Sequence, residues 1–308
     1  MTFCAQCKQD ITETKLENSC CVSAQLYGML LFCKSFSRTQ ILLTSEHEFV
    51  TARFVNLLTE FGIQQTSILQ SKTVRDNIIE IDDEKVIDKL FADFGYSGDE
   101  FSLRIKDSNF ICENCVGSFL AGCFLSGGTI TDPKSGYHLE FTTYKSNLLN
   151  DLFTLLNDEG FEPRTASRGF GRIIYYKNST QIEDLLTYMG AVNSSLELMA
   201  AKVYKDVKNR INRRVNCESA NIDKTVEASA KDLAAIQYIT DLKGDSYLSD
   251  ELLEIAKLRI ENPELSMTDL GLLLRKQLTK SGVSHRLRKI REEAAKLKQE
   301  HENGNKKQ

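Results

Sequence analysis

The first 200 residues carry one plan twice, and a chain built from two copies of a plan has few folds open to it. Copy one begins with the apolar stretch Ala24-Gln25-Leu26-Tyr27-Gly28-Met29-Leu30-Leu31-Phe32-Cys33, and copy two with Ser118-Phe119-Leu120-Ala121-Gly122-Cys123-Phe124-Leu125-Ser126-Gly127-Gly128. Leu26 and Gly28 match Leu120 and Gly122. A β-like run follows each, at 40–44 and 137–142, and leads into a helix-like segment ending in Leu57-Leu58 with Gly62 or Leu155-Leu156 with Gly160. Those glycines stand where a helix end favours a left-handed residue. Strand-like runs come next (65–71 and 77–81; 164–167 and 172–177), and a second helix closes each copy near 83–91 and 180–188. The shared order predicts a pseudo-symmetric pair of α+β halves. Glycine has no Cβ, so Gly28 and Gly122 on matching helices predict close packing of the two at the pseudo-twofold axis.

Charge divides the chain differently. The net charge is −4, yet residues 1–200 carry −9 and residues 201–308 carry +5. Such asymmetry points to a polyanion-binding module in the basic part. The stretch 275–298 alone carries +7, and 202–214 holds six basic residues against Asp206. Hydrophobic residues make up 41%, enough for a normal core, so global disorder is excluded. No apolar run reaches the ~18 residues of a membrane span, so no membrane association is expected. The start Met1-Thr2-Phe3-Cys4 has no basic and apolar leader pattern. Nine cysteines without such a leader favour reduced thiols in a cytoplasm.

From 248 to 297 the pattern is a helix-turn-helix. A first helix starts after Ser249-Asp250 and ends before Pro263; a second has Ser266 as N-cap with Asp269 three residues on. After a turn, a third opens near Ser281 with Val283, Leu287, Ile290, Ala294 and Leu297 as an apolar stripe at helical period. A short helix, a turn and a basic amphipathic helix place the last helix as the reader of double-stranded DNA. Ser281, Ser284, His285 and Arg288 are then expected nearest the base edges, and Arg275, Lys280, Arg286, Lys289 and the backbone around Gly282 at phosphates. The segment holding Asn209, Arg210, Asn212, Arg213 and Asn216 has side chains able to contact DNA, or forms a solvated face with asparagine caps at an interdomain bend. Lys134, Lys145, Arg164, Arg168 and Arg172 are candidates for a local basic patch in the first part.

Two resemblances now carry weight. The 120–128 stretch followed by a β-like run resembles the LAGLIDADG homing-endonuclease fold, which pairs two such helices and uses acids at their C-terminal ends to hold divalent metal. Here Cys33 and Gly127 take the acids' places, and neither is a hard oxygen ligand. The resemblance therefore implies a scaffold without cleavage, with no catalytic residue and no cofactor. Ser281-Gly282-Val283-Ser284-His285-Arg286-Leu287-Arg288-Lys289-Ile290 resembles the end of the bacterial WhiA proteins, and 209–221 resembles their N-R-x-N-R-x-x-N-C-E-x-A-N segment. Cys115, the run 137–141 and the pair Cys20-Cys21 also fit. Ser284 stands where asparagine is usual, and serine is the less discriminating reader of a base edge. This resemblance covers nearly the whole chain. It implies a nucleoid-associated transcriptional regulator linked to cell division and sporulation, with a degenerate LAGLIDADG-like region that offers a surface to a protein partner.

The expected organisation is a first repeat at 1–105, a second at 106–190, a helical connector at 191–243, an all-α helix-turn-helix domain at 244–300 and a disordered tail at 301–308. Two other readings stand beside the regulator. One is a magnesium-dependent nuclease using Asp132, Glu140 or Glu46; the other is an adaptor tethered to DNA by its basic end. Cys4-x-x-Cys7 and Cys112-x-x-Cys115 have the spacing of a zinc site. Cys7 runs into helix-like sequence and neither motif holds a glycine, so free thiols and no metal are expected.

Overall fold

A computed structural model describes residues 1–98, 100–168 and 171–305. The chain divides into two compact units, Met1–Asp206 and Val207–Gln308.

In the first unit, helix α1 (Phe3–Glu13) precedes α2 (Ser19–Phe32), strands β1 (Ser35–Phe36) and β2 (Ile41–Ser45), helix α3 (Glu48–Glu60), strands β3 (Leu69–Lys72) and β4 (Asn77–Ile81) and helix α4 (Glu84–Asp93). The second copy repeats α5 (Cys115–Gly127), β5 (Gly128–Ile130), β6 (Leu139–Thr142), α6 (Ser146–Asp158), β7 (Arg164–Arg168), β8 (Gly171–Tyr176) and α7 (Ser179–Tyr188). Each copy forms a four-stranded antiparallel sheet, in the order β1-β2-β4-β3 and β5-β6-β8-β7. The shared non-sequential order is stronger support for a duplicated plan than the sequence match. The short strands β1 and β5, which extend each sheet beyond the central helix, were not anticipated from sequence.

The two central helices are apolar around their whole circumference, the mark of a helix enclosed on all sides. In α2 every residue from Ala24 to Phe32 is buried, and in α5 every residue from Gly117 to Leu125. The glycines set their separation. A Cβ on Gly28 would lie 2.2 Å from the carbonyl oxygen of Phe119, and one on Gly122 would lie 2.1 Å from that of Gln25. The two contacts are reciprocal, as a pseudo-twofold seam requires. Gly62 and Gly160 take the expected left-handed conformation, with φ of +88° and +83°.

Register follows burial. Ile41 faces Ile81 and Leu43 faces Ile79 in the first sheet, and Leu139 faces Tyr176 and Phe141 faces Ile174 in the second; all eight side chains are buried. One apolar core runs from Phe3 to Leu198 through both copies. The link between copies is pinned where the Arg104 guanidinium donates from Nε and Nη2 to the Asp151 carboxylate of α6 and Tyr27 hydrogen-bonds Tyr96 at 2.7 Å.

Helix α8 (Val192–Lys243) is continuous, so the bend considered near 209–216 is absent. Its start is capped by Asp10, which accepts from the Ser194 amide and hydroxyl at 2.7 and 2.6 Å. The second unit comprises the rest of α8, then α9 (Asp250–Glu261), α10 (Met267–Leu273) and α11 (Lys280–Asn305). Its core starts at Ala235, Ile236 and Ile239, upstream of the boundary at 244 expected from sequence. The expected tail at 301–308 also begins too early, because α11 runs on to Asn305. Among the described residues no helix is long and apolar enough to cross a membrane.

Candidate nucleic-acid interface

The second unit is built by burying one side of α11. Val283, Leu287, Ile290, Ala294 and Leu297 are all buried against Ile255, Leu270 and their neighbours, as the stripe predicts. Ser266 caps α10 by accepting from the Asp269 amide at 3.3 Å. At Gly271 a Cβ would lie 2.3 Å from the Leu278 carbonyl oxygen, so glycine lets the turn close onto α10. The Leu278 amide donates back to the Gly271 carbonyl at 3.1 Å.

With the stripe inside, Ser281, His285, Arg288 and Lys289 of α11 face water. Ser281, Ser284, His285 and Arg288 follow one another at i, i+3, i+4 and i+7, which puts them on one face. Together with Lys280 and Met267 they line a shallow concavity of about 420 Å³. Arg288 donates to His285 Nδ1 at 3.1 Å and lies 3.5 Å from Glu292. Arg275, Lys280 and Lys289 are exposed. Two of the expected phosphate contacts are engaged elsewhere. Arg286 is only 14% exposed and pairs with Glu251 of α9 at 3.0 Å, fixing α11 to α9. The Gly282 amide is capped by the Thr279 hydroxyl at 3.4 Å, which makes Thr279 the N-cap of α11.

A buried ionic group missed in the sequence holds this unit together. Asp232 of α8 is fully buried, 3.7 Å from Arg259 of α9 and hydrogen-bonded to Arg291 of α11. Arg259 is also fully buried and donates to the Leu265 carbonyl at 2.8 Å. Asp232 was hidden because nothing in a single acid on a polar stretch shows that two helices converge on it. Arg291, one of the basic residues of the 275–298 stretch, is part of this clamp. Farther up α8, Asn209, Arg210, Asn212, Arg213 and Asn216 are exposed, with Asn209, Asn212, Arg213 and Asn216 on one face.

The first unit offers a second place to examine. Beyond the C-terminal ends of α2 and α5 lies a cleft of about 640 Å³ whose lining includes Lys34, Thr44, Thr142, Tyr144, Ser146 and Arg172. The helix ends reproduce each other's chemistry. Lys145 donates to the Leu31 carbonyl of α2 and Lys8 to the Leu125 carbonyl of α5, both at 3.1 Å. Burial lowers the pKa of both lysines. Cys33 donates to the Leu30 and Ser35 carbonyls at 3.0 and 2.9 Å, and burial pushes its thiol up to about 11. A neutral thiol and Gly127 supply no oxygen ligand, so these residues do not fit the divalent metal of a LAGLIDADG nuclease.

The acids weighed for a nuclease lie in other roles. Asp132 accepts from the Lys134 amide at 2.7 Å within a turn. Glu140 is buried, held by Thr129 at 3.2 Å and His138 at 3.1 Å. Glu46 is exposed, with its charge acting on Lys8. Lys145 is engaged with Leu31, which removes it from the proposed basic patch; Arg164 and Lys134 are exposed, Arg172 donates to Asn150, and the side chain of Arg168 lies outside the described residues.

Comparison with known proteins accounts for both units. Residues 211–294 match the WhiA C-terminal HTH domain and residues 116–208 the WhiA LAGLIDADG-like domain. A probable cell division protein WhiA from Ruminiclostridium cellulolyticum is 33% identical, over 97% of this chain and 98% of its own length. The chain belongs to the WhiA family. A Clostridium botulinum relative of the same name is 36% identical over 88% of this chain and 89% of its own. A crystal structure of a full-length WhiA from Thermatoga maritima shares the fold, with a TM-score of 0.57, 24% identity and coverage of 96% of this chain and 99% of that one. The WhiA LAGLIDADG-like match starts at 116, so within this chain the likeness of the first copy rests on its matching sheet order and helix seam.

Proposed function

We propose that this WhiA-family chain is a regulator that binds double-stranded DNA through α11, acting in the cell-division process for which its relatives are named and, as the family resemblance implies, in sporulation control. It works at the nucleoid in the cytoplasm, and its first unit is a non-cleaving scaffold with a surface for a protein partner. The observation that carries this reading is the convergence of Lys280, Ser281, Ser284, His285 and Arg288 on one exposed face of a helix whose opposite stripe is buried. Serine, histidine and arginine can each donate to acceptors on base edges, and arginine opposite guanine carries the most sequence information. Arg275, Lys280 and Lys289 set register on the phosphates. Asn209, Arg210, Asn212, Arg213 and Asn216 form a second contact with the DNA backbone. Cys33 and Gly127 at the ends of α2 and α5 support the non-cleaving reading, since neither supplies an oxygen ligand for a divalent metal.

The test is fluorescence anisotropy with the full chain, on a duplex selected from a random pool and on a scrambled duplex, over a salt series with magnesium present and product lengths checked. Expected are tighter binding to the selected duplex, a log–log salt slope of about −3 to −5 from roughly three to five phosphates, and intact DNA. Fragments that depend on magnesium would install the nuclease reading. Equal affinity for both duplexes would install the tethered adaptor.

A further inference from the structure

Sequence spacing paired Cys112 and Cys115 with Cys4 and Cys7, but the fold assembles a different set. Cys4 and Cys7 lie on α1. Cys112 and Cys115, at the start of α5, meet Cys20 and Cys21, in the first turn of α2. Among the described residues these four form the one cluster of metal-ligating type, with all four sulfurs within 4.8 Å of one another. Cys112 lies 3.5 Å from each of Cys20, Cys21 and Cys115. A disulfide needs about 2.05 Å, and all four thiols are free. A single ion with four thiolates at ~2.3 Å sets tetrahedral sulfur–sulfur edges of about 3.8 Å.

We propose that Cys20, Cys21, Cys112 and Cys115 form a closed structural site for one soft divalent cation, of which zinc is the type, joining the two halves of the repeat at the N-terminal ends of their central helices. The donor set fixes the ion's class. Four thiolates in a tetrahedron suit zinc and exclude hard cations such as magnesium. A four-iron, four-sulfur cluster binds each thiolate to a separate iron and a two-iron, two-sulfur cluster binds two to each of two irons, so both spread the four sulfurs beyond a single ion's tetrahedral edge. Binding four thiols to one zinc ion releases four protons to solvent and leaves the site at −2, with no change of oxidation state. That charge sits at the positive ends of α2 and α5. The Cys112 amide donates to Cys115 Sγ at 3.4 Å, and the Asn18 side-chain amide lies 4.0 Å from Cys112 Sγ, so both point hydrogens at sulfur. Cys21 and Cys115 are buried and Cys20 and Cys112 half-buried, which gives the ion an entry path and then encloses it. The site is opposite in character to the helix C-termini, where Lys8 and Lys145 provide the positive charge.

The test uses the full chain. Elemental analysis after gel filtration should find about one zinc per chain. Metal-free protein refilled with cobalt should show the intense visible bands of a tetrahedral thiolate site. Cys112→Ser and Cys20→Ser should abolish both readouts while circular dichroism stays native, and Cys217→Ser, an exposed cysteine of α8, should leave both intact. No zinc together with no cobalt spectrum in the unaltered chain would overturn the proposal. So would zinc that survives in Cys112→Ser, since it would be bound elsewhere, or a disulfide found by mass spectrometry among the four cysteines of freshly purified protein.

Discussion

Two arginines two residues apart on α11 should behave oppositely. Arg286 and Arg288 are indistinguishable by charge count, but the fold gives them different surroundings. Arg288 is 60% exposed beside Ser284 and His285, whereas Arg286 is 14% exposed and held by Glu251. Replacing Arg288 by alanine removes a base-reading contact worth about 1–3 kcal/mol, which is a loss of roughly 5-fold to 160-fold in affinity. The loss should be concentrated on the selected duplex, with little change on the scrambled one. Replacing Arg286 removes a pair whose carboxylate is 75% exposed. Such a pair contributes up to about 1 kcal/mol, and the effect falls on stability. Arg286→Ala should therefore lower the melting temperature by a few degrees and leave the salt slope of binding unchanged. The assay is anisotropy of each variant on both duplexes across a salt series, with thermal denaturation alongside. If Arg286→Ala reduces the slope by about one, as loss of a phosphate contact does, and Arg288→Ala binds like the unaltered chain, the assignment of faces on α11 is wrong.

Four further outcomes are expected. Asp232→Asn keeps the shape but leaves Arg259 buried without its countercharge, so thermal denaturation followed by circular dichroism should show the second unit losing about 3–5 kcal/mol. Gly122→Val drives side-chain atoms into the Gln25 carbonyl and should cost the first unit more than about 3 kcal/mol by denaturant titration, beyond ordinary overpacking. In alkylation of the native chain followed by mass spectrometry, the exposed Cys217 should label before Cys7, Cys33 and Cys123, because burial raises the Cys7 and Cys33 thiols to about 12 and about 11, raises that of Cys123 as well, and keeps all three neutral. Gly127→Asp should destabilise the first unit without producing magnesium-dependent nicking of plasmid DNA, because a Cβ there would lie 2.5 Å from the Thr142 carbonyl oxygen.

What was legible in the sequence is what repeats or keeps a period. The two apolar helices, the seam at Gly28 and Gly122 and the stripe from Val283 to Leu297 each show as spacing, and spacing on a helix fixes which side chains share a face. Strands β1 and β5 have two and three residues, too short for alternation to register. Convergence between distant segments also leaves no trace in spacing. Asp232 meets Arg259 and Arg291 from three helices, and Arg286 turns to Glu251 rather than to solvent. The cysteines show both effects. Cys112 and Cys115 were singled out by their spacing, but adjacent Cys20 and Cys21 carry no ligand spacing and are brought to them only because α2 and α5 pack side by side.

The helix seam also explains why two lysines reach the C-terminal ends of α2 and α5. A helix ends in carbonyl groups without intrahelical partners and with partial negative charge. Two helices that cross at Gly28 and Gly122 bring two such ends close together inside one core, and something cationic must answer them. Here Lys145 reaches the Leu31 carbonyl of α2 and Lys8 the Leu125 carbonyl of α5. Each lysine comes from outside the helix it serves: Lys145 precedes α6 in the second copy, and Lys8 lies on α1. At the same helix ends stand a neutral Cys33 and a Gly127 packed against the Thr142 carbonyl. Restoring an acid at Gly127 would meet the packed Thr142 backbone, so local sterics rather than the nearby lysines oppose it.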